Sequence, residues 1–177
     1  LLLLPETLAP GARQQAHRRA FDFAALRAAL AQPLLGPALV MVFLTIFAFA
    51  NFETTFAQLA KLRFAFTTST IAWLFAYAGV LGAVVQGGLI GPLARRFGEA
   101  RLVVAGTLLS ALALAVLPVL AGRGPLLGIL AVLALGQGVA HPALTSLVSR
   151  TVAAGEVGGV MGLQQGIASL ARIGGPF

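Results

Sequence analysis

Glu53 is the sharpest candidate for chemistry, because it is the only acid in the chain that falls inside a long apolar run. A carboxylate is costly as an anion in hydrocarbon, so a membrane protein that keeps one has a place to take up and release a proton, or to hold a cation. The competing reading puts Glu53 close enough to the outer interface to be hydrated, where it only caps or packs a helix end. His141, beside Pro142, is the second candidate, since an imidazole titrates near neutral pH and can join a proton relay. Its plainer role is a neutral ring hydrogen-bonded to a neighbouring helix. Gln137 lies four residues before His141, so the two share a helix face that is expected to point inward. Arg172 falls about 15 residues into the last apolar run, near mid-membrane at ~1.5 Å per residue. A guanidinium there needs an acid, backbone carbonyls or an anionic substrate, and a tie between helices is favoured over substrate contact. Asn51, Gln86, Gln164 and Gln165 are further polar positions that could line a cavity, each weighed against simple helix-packing glue. Phe43, Phe47 and Asn51 recur at intervals of four and offer one mixed aromatic and polar face.

The elements that must position these residues follow from composition. Hydrophobic residues make up 59% of the chain and charged ones 10%, too few charges to cover a soluble domain. The class is an all-α, polytopic membrane helix bundle. Five spans are expected, at about 34–56, 70–92, 102–121, 126–148 and 157–177. Residues 1–32 hold the end of a preceding helix and a loop, with a short amphipathic helix from about 20 to 32 that puts Phe21, Leu26 and Leu30 at the membrane surface and Arg27 in water. A solvated linker is the alternative there. Gly79, Gly82, Gly87 and Gly88 in the second span suggest close approach of a neighbouring helix, and Trp73 and Tyr77 fit an interfacial aromatic belt.

The net charge of +7 does not point to nucleic acid, because the basic residues sit between apolar runs rather than on one face. They set topology instead. Arg13, Arg18, Arg19, Arg27, Arg95, Arg96, Arg101 and Arg150 fall on one side, and Lys61, Arg63 and Arg123 on the other. Eight against three makes the first side cytoplasmic, with residues 5–32 and 93–101 inside and Glu53 toward the outside. There is no cysteine, and His17 and His141 are too few for a zinc site. No phosphate-binding glycine loop and no acid pair spaced for hydrolysis occurs, so nothing supports an enzyme, a metal or another cofactor. The chain begins at Leu1 and ends at Phe177 within apolar stretches, and a fragment cut at both ends is expected.

Four segments carry a resemblance to a known family. Leu4-Pro5-Glu6-Thr7, Asn51-Phe52-Glu53-Thr54-Thr55-Phe56, Gly91-Pro92-Leu93-Ala94-Arg95-Arg96-Phe97-Gly98-Glu99-Ala100-Arg101 and Ser169-Leu170-Ala171-Arg172-Ile173-Gly174-Gly175-Pro176 occur in the order seen in the second half of major facilitator superfamily transporters. The chain most resembles the drug:proton antiporter branch. The third segment resembles the loop motif Gly-x-x-x-Asp-Arg-x-Gly-Arg-Arg, whose positions here are Gly91, Arg95, Arg96, Gly98, Glu99 and Arg101. Arg95 stands where the motif has Asp, and Glu99 where it has Arg. The resemblance implies that 1–4 end helix six, that 5–32 are the central cytoplasmic loop and that the spans are helices seven to eleven. It also implies proton-coupled efflux of a small organic molecule by alternating access in a bacterial inner membrane, together with a missing N-terminal half. Two rival functions are a permease subunit of an ATP-driven transporter, for which the 95–101 loop offers no convincing coupling helix, and a non-transporting membrane relic.

Overall fold

A computed structural model describes residues 23–120, 122–153 and 155–176. The expectations for 1–22, including Leu1–Leu4, Leu4-Pro5-Glu6-Thr7 and Phe21, lie outside the described residues. The described chain is helical: α1 (Phe23–Ala31), α2 (Leu35–Phe64), α3 (Thr68–Val84), a π-helical turn (Val85–Leu89), α4 (Ile90–Phe97), α5 (Glu99–Val116), a 3₁₀ turn (Leu117–Val119), α6 (Gly124–Arg150) and α7 (Val157–Gly174). Among the described residues four helical stretches are long and apolar enough to cross a membrane: Leu35–Phe64, Thr68–Phe97, Glu99–Val119 and Gly124–Arg150. The fifth expected span is a helix in its expected place, α7, but Gln164, Gln165 and Arg172 leave it less apolar than the others.

The helices run further than the apolar runs suggested, and the reason is the same at both ends of the bundle. α2 continues to Phe64, eight residues past the expected end at 56, and only residues 65–67 remain as a turn. Lys61 and Arg63 sit in its last turn, where the helix dipole favours cations. Ala65, in the left-handed conformation at φ 51°, stops the helix, and its N–H closes on the carbonyl of Ala60. Likewise the expected loop at 93–101 is almost wholly helical. Arg95 and Arg96 lie in the last turn of α4 and Glu99 in the first turn of α5, each the sign the local dipole prefers. The reversal is made by Gly98 alone, at φ 80° and ψ 151°, a conformation glycine adopts at little cost.

α6 is the axis of the bundle. α5 packs along it most intimately, α3 lies on a second side, and α2 and α7, packed on each other, complete the group. The α5–α6 contact is between backbones. A Cβ on Gly106 would stand 2.7 Å from the Gly136 carbonyl oxygen and 2.8 Å from the Ala140 nitrogen. Gly106 and Ser110 are four apart, as are Gly136 and Ala140, so each helix presents two small residues to the other. The glycines singled out in the second span have open space where their own side chains would be. A Cβ on Gly79, Gly82, Gly87 or Gly88 would meet nothing within 4 Å. Gly82 is nonetheless approached by α6 from the other side, since a Cβ on Gly138 would stand 3.5 Å from the Gly82 Cα. What distinguishes Gly106 and Gly136 is a small partner one turn away on both helices, which a count of glycines overlooks.

Two apolar clusters result. One joins Leu35, Leu39, Val42, Leu102, Leu144, Val148 and Ala171 near the Glu99 end, with Leu26 of α1 packed against it. The other joins Phe52, Phe56, Phe64, Leu74, Leu126 and Leu130 near the Arg123 end. Of the residues expected at the surface near α1, Arg27 and Leu30 are exposed. Trp73 and Tyr77 are exposed on α3. Polar ties close both ends. Arg123 Nη2 donates to the Phe64 carbonyl at 2.8 Å and stacks 5.0 Å from the Phe66 ring, while the Arg63 guanidinium donates to the Pro118 carbonyl. At the opposite end Glu99 Oε1 accepts from Ser146 Oγ at 2.9 Å and from Arg150 Nε at 3.0 Å.

Candidate functional site

Between the two apolar clusters lies a cleft of about 790 Å³, open on one side. Its walls come from α2 (Thr45, Ile46, Phe49, Glu53), α3 and the π turn (Phe75, Gly79, Gln86), α6 (Gln137, Gly138, His141) and α7 (Arg172). Those of α2, α3 and α6 fall near the middle of their helical stretches, and Arg172 joins them from the last turn of α7. Each apolar cluster fills one end of the bundle, so polar side chains are left to the central layer, where lipid would penalise them on the outer surface.

Five of the eight polar positions singled out from sequence meet here: Glu53, Gln86, Gln137, His141 and Arg172. Gln137 and His141 share a wall of the cleft, as their spacing of four requires. The other three lie elsewhere. Asn51 turns back on its own helix, donating from Nδ2 to the Phe47 carbonyl at 3.0 Å, and Phe47 in turn stacks on Phe43 at 5.7 Å. Gln164 is buried behind the cleft and donates from Nε2 to Thr145 Oγ1 at 3.0 Å. Gln165 is exposed on another face of α7. Glutamines adjacent in sequence sit about 100° apart on a helix, so only one of a pair can face a given direction.

Among the described residues the sole ion pair is Arg150 with Glu99. Arg172 and Glu53 therefore stand in the cleft without a close ionic partner, both exposed to it. An acid and two basic groups around one cavity give it both signs of charge within a largely apolar wall. The backbone adds to this. Pro142 lies inside α6 and has no N–H to give the carbonyl four residues earlier, so the Gly138 carbonyl at the cleft wall is free to accept. Gln86 sits within the π turn, one residue into it. Thr45 was not singled out from sequence. A threonine inside an apolar helix gives no signal, because its hydroxyl commonly bonds to its own backbone.

The loop-motif residues form a separate group. Arg95, Arg96 and Arg101 are exposed, as are Gly91 and Gly98. Glu99 alone is tied down, by Ser146 and Arg150 of α6. The acid at 99 thus meets a base on a neighbouring helix.

Residues 1–176 match the model of the Major Facilitator Superfamily. The chain belongs to that superfamily. Multidrug resistance protein 2 of Bacillus subtilis is 27% identical over 99% of this chain and 44% of its own length. Tetracycline resistance protein, class C, of Escherichia coli is 33% identical over 65% of this chain and 29% of its own. Multidrug resistance protein 1 of Bacillus subtilis is 27% identical over 82% and 37%. No solved structure matches. The chain spans less than half the length of the curated relatives it matches. Membership of the superfamily, with four helices among the described residues able to cross a bilayer, makes this major facilitator chain an integral membrane protein.

Proposed function

We propose that this chain is one helical bundle of a proton-coupled efflux transporter, and that its cleft is half of the route for a small, amphiphilic organic molecule. The observation that carries the reading is the central cleft. Its roughly 790 Å³ suits a drug-sized ligand, its walls are mostly apolar, and the charged and amide groups in it stand at mid-depth. Relatives whose names record multidrug and tetracycline resistance support export as the direction. The second bundle closes the open side and the two rock about the site, exposing it to one face at a time. In this scheme Glu53 takes up the coupling proton and His141 is its partner in transfer. Arg172, Gln86 and Gln137 orient the polar end of the substrate, and Phe49 and Phe75 cover its apolar part.

Proteoliposomes holding the full-length protein test this. An imposed proton gradient drives accumulation of a fluorescent amphiphilic cation without ATP, and a protonophore ends it. Accumulation that ignores the gradient overturns proton coupling.

In this reading the Glu99 end lies in the cytoplasm of a bacterial cell, which the distribution of basic residues supports. A cysteine placed at Phe66 is labelled by an impermeant maleimide on intact cells, and one placed at the exposed Ala100 only after lysis. The reverse pattern inverts the topology.

A further inference from the structure

Behind the cleft, between α2, α6 and α7, lies a second and much smaller cavity of about 10 Å³. Val42, Thr45, Ile46, His141, Leu144, Thr145 and Gln164 surround it, and Thr45, Ile46 and His141 also wall the large cleft. Thr45 is 8% exposed and Gln164 5%. Thr45 Oγ1 and Gln164 Oε1 are both buried and neither has a hydrogen-bond partner in the protein. Two such oxygens bordering one small space are expensive unless something bonds to both, since a stranded buried acceptor costs about 1–3 kcal/mol.

We propose that this cavity is a binding site for a single structural water. The water donates to Gln164 Oε1 and to Thr45 Oγ1, and in doing so joins α2 to α7 through a network that already ties α7 to α6 by Gln164 Nε2 and Thr145 Oγ1. The size is at the lower end of what one water needs, and buried waters sit where two or more polar groups converge. The surrounding groups are hydroxyls, an amide and an imidazole, with no carboxylate among the cavity's walls, so a neutral ligand fits better than a cation. Because His141 separates the two spaces, the water also offers its ring a fixed partner on the side away from the cleft. The site backs the polar wall that the proposed transport route uses, yet its existence does not depend on transport.

Thr45→Val keeps the shape of the side chain and removes the hydroxyl, which makes the test a matter of sign. If a water bridges Thr45 and Gln164, the variant strands the water and Gln164 Oε1, and the unfolding midpoint of the detergent-solubilised full-length protein falls by about 2–4 °C. Thr45→Ser, which restores the hydroxyl, recovers most of that loss. In the double variant Thr45→Val, Gln164→Leu the two effects are not additive, because both report on one water. An unchanged or raised midpoint in Thr45→Val overturns the proposal, since it means that the hydroxyl had no partner to lose. So does a midpoint that rises when choline is replaced by sodium at constant ionic strength and loses that rise in Thr45→Val, which would assign the site to a cation.

Discussion

If the proposed proton-coupled export is right, it is expected to fall to the level of empty vesicles in Glu53→Gln, while the variant inserts and folds like the parent protein. Glutamine has nearly the same shape as glutamate and keeps one acceptor oxygen, but it cannot exchange a proton. The folded bundle has little to lose, because among the described residues Glu53 makes no ion pair and its side chain stands exposed to the cleft. The two terms therefore separate: coupling is lost and stability is kept. Substrate still equilibrates down its own gradient through the variant if the site itself survives. Accumulation against a gradient at the parent rate removes Glu53 from the coupling step and leaves it as a hydrated residue of the cleft wall.

Gly136→Leu acts in the opposite way, on assembly rather than on transport chemistry. Even a single Cβ at Gly136 would stand 2.5 Å from Ser110 Oγ, 2.8 Å from the Gly106 carbonyl oxygen and 2.9 Å from the Ser110 nitrogen. Backbone atoms cannot rotate away as a side-chain tip can, so α5 and α6 must separate along their whole contact. Overpacking of a tight core costs about 1–3 kcal/mol for a few added methylenes, and a leucine here adds four carbons against main chain. Little folded protein is recovered from membranes, and what remains unfolds at a markedly lower temperature. Gly128→Ala supplies the comparison on the same helix. A Cβ there meets nothing within 4 Å, so the change is neutral or stabilises by up to ~1 kcal/mol through helix propensity. Equal recovery of Gly136→Leu and Gly128→Ala would mean that the α5–α6 crossing is not a close one.

The class of the fold and the membership of the central cleft were legible in the chain for a common reason. Polar groups are too costly in hydrocarbon to occur without a purpose, so Glu53, Gln137, His141 and Arg172 announce themselves by contrast. Helix ends were less legible. Lys61, Arg63, Arg95 and Arg96 read as loop because they are charged, whereas the dipole at a helix C-terminus holds such residues within the last turn. The tightest packing was missed for a related reason, although α6 does approach Gly82. Glycine marks where a helix can approach, and only a small partner on the facing helix decides where it does, as at Gly106 with Gly136. Gln164 and Gln165 show a further limit, since a side chain's azimuth depends on the tilt of the helix that carries it. Thr45 was invisible because a threonine hydroxyl in an apolar helix is usually satisfied locally, and nothing in its neighbours' identities says otherwise.

The π turn at Val85–Leu89 has a consequence for how the chain tolerates insertion and deletion. A wide turn holds one residue more than an α-helical turn does, so Thr68–Phe97 carries one residue of slack at the point where Gln86 meets the cleft. Removing a single residue there, Gly87 or Gly88, lets the stretch close into ordinary α-helix, and the residues after it keep their phase because the wide turn had already absorbed the extra one. Arg95, Arg96 and the turn at Gly98 stay on their faces, and Glu99 stays within reach of Ser146 and Arg150. A deletion in the plain α-helical part of Thr68–Phe97 has no such slack and rotates everything after it by about 100°. The glycine pair is thus a place where the chain can lose a residue without turning the Glu99 end.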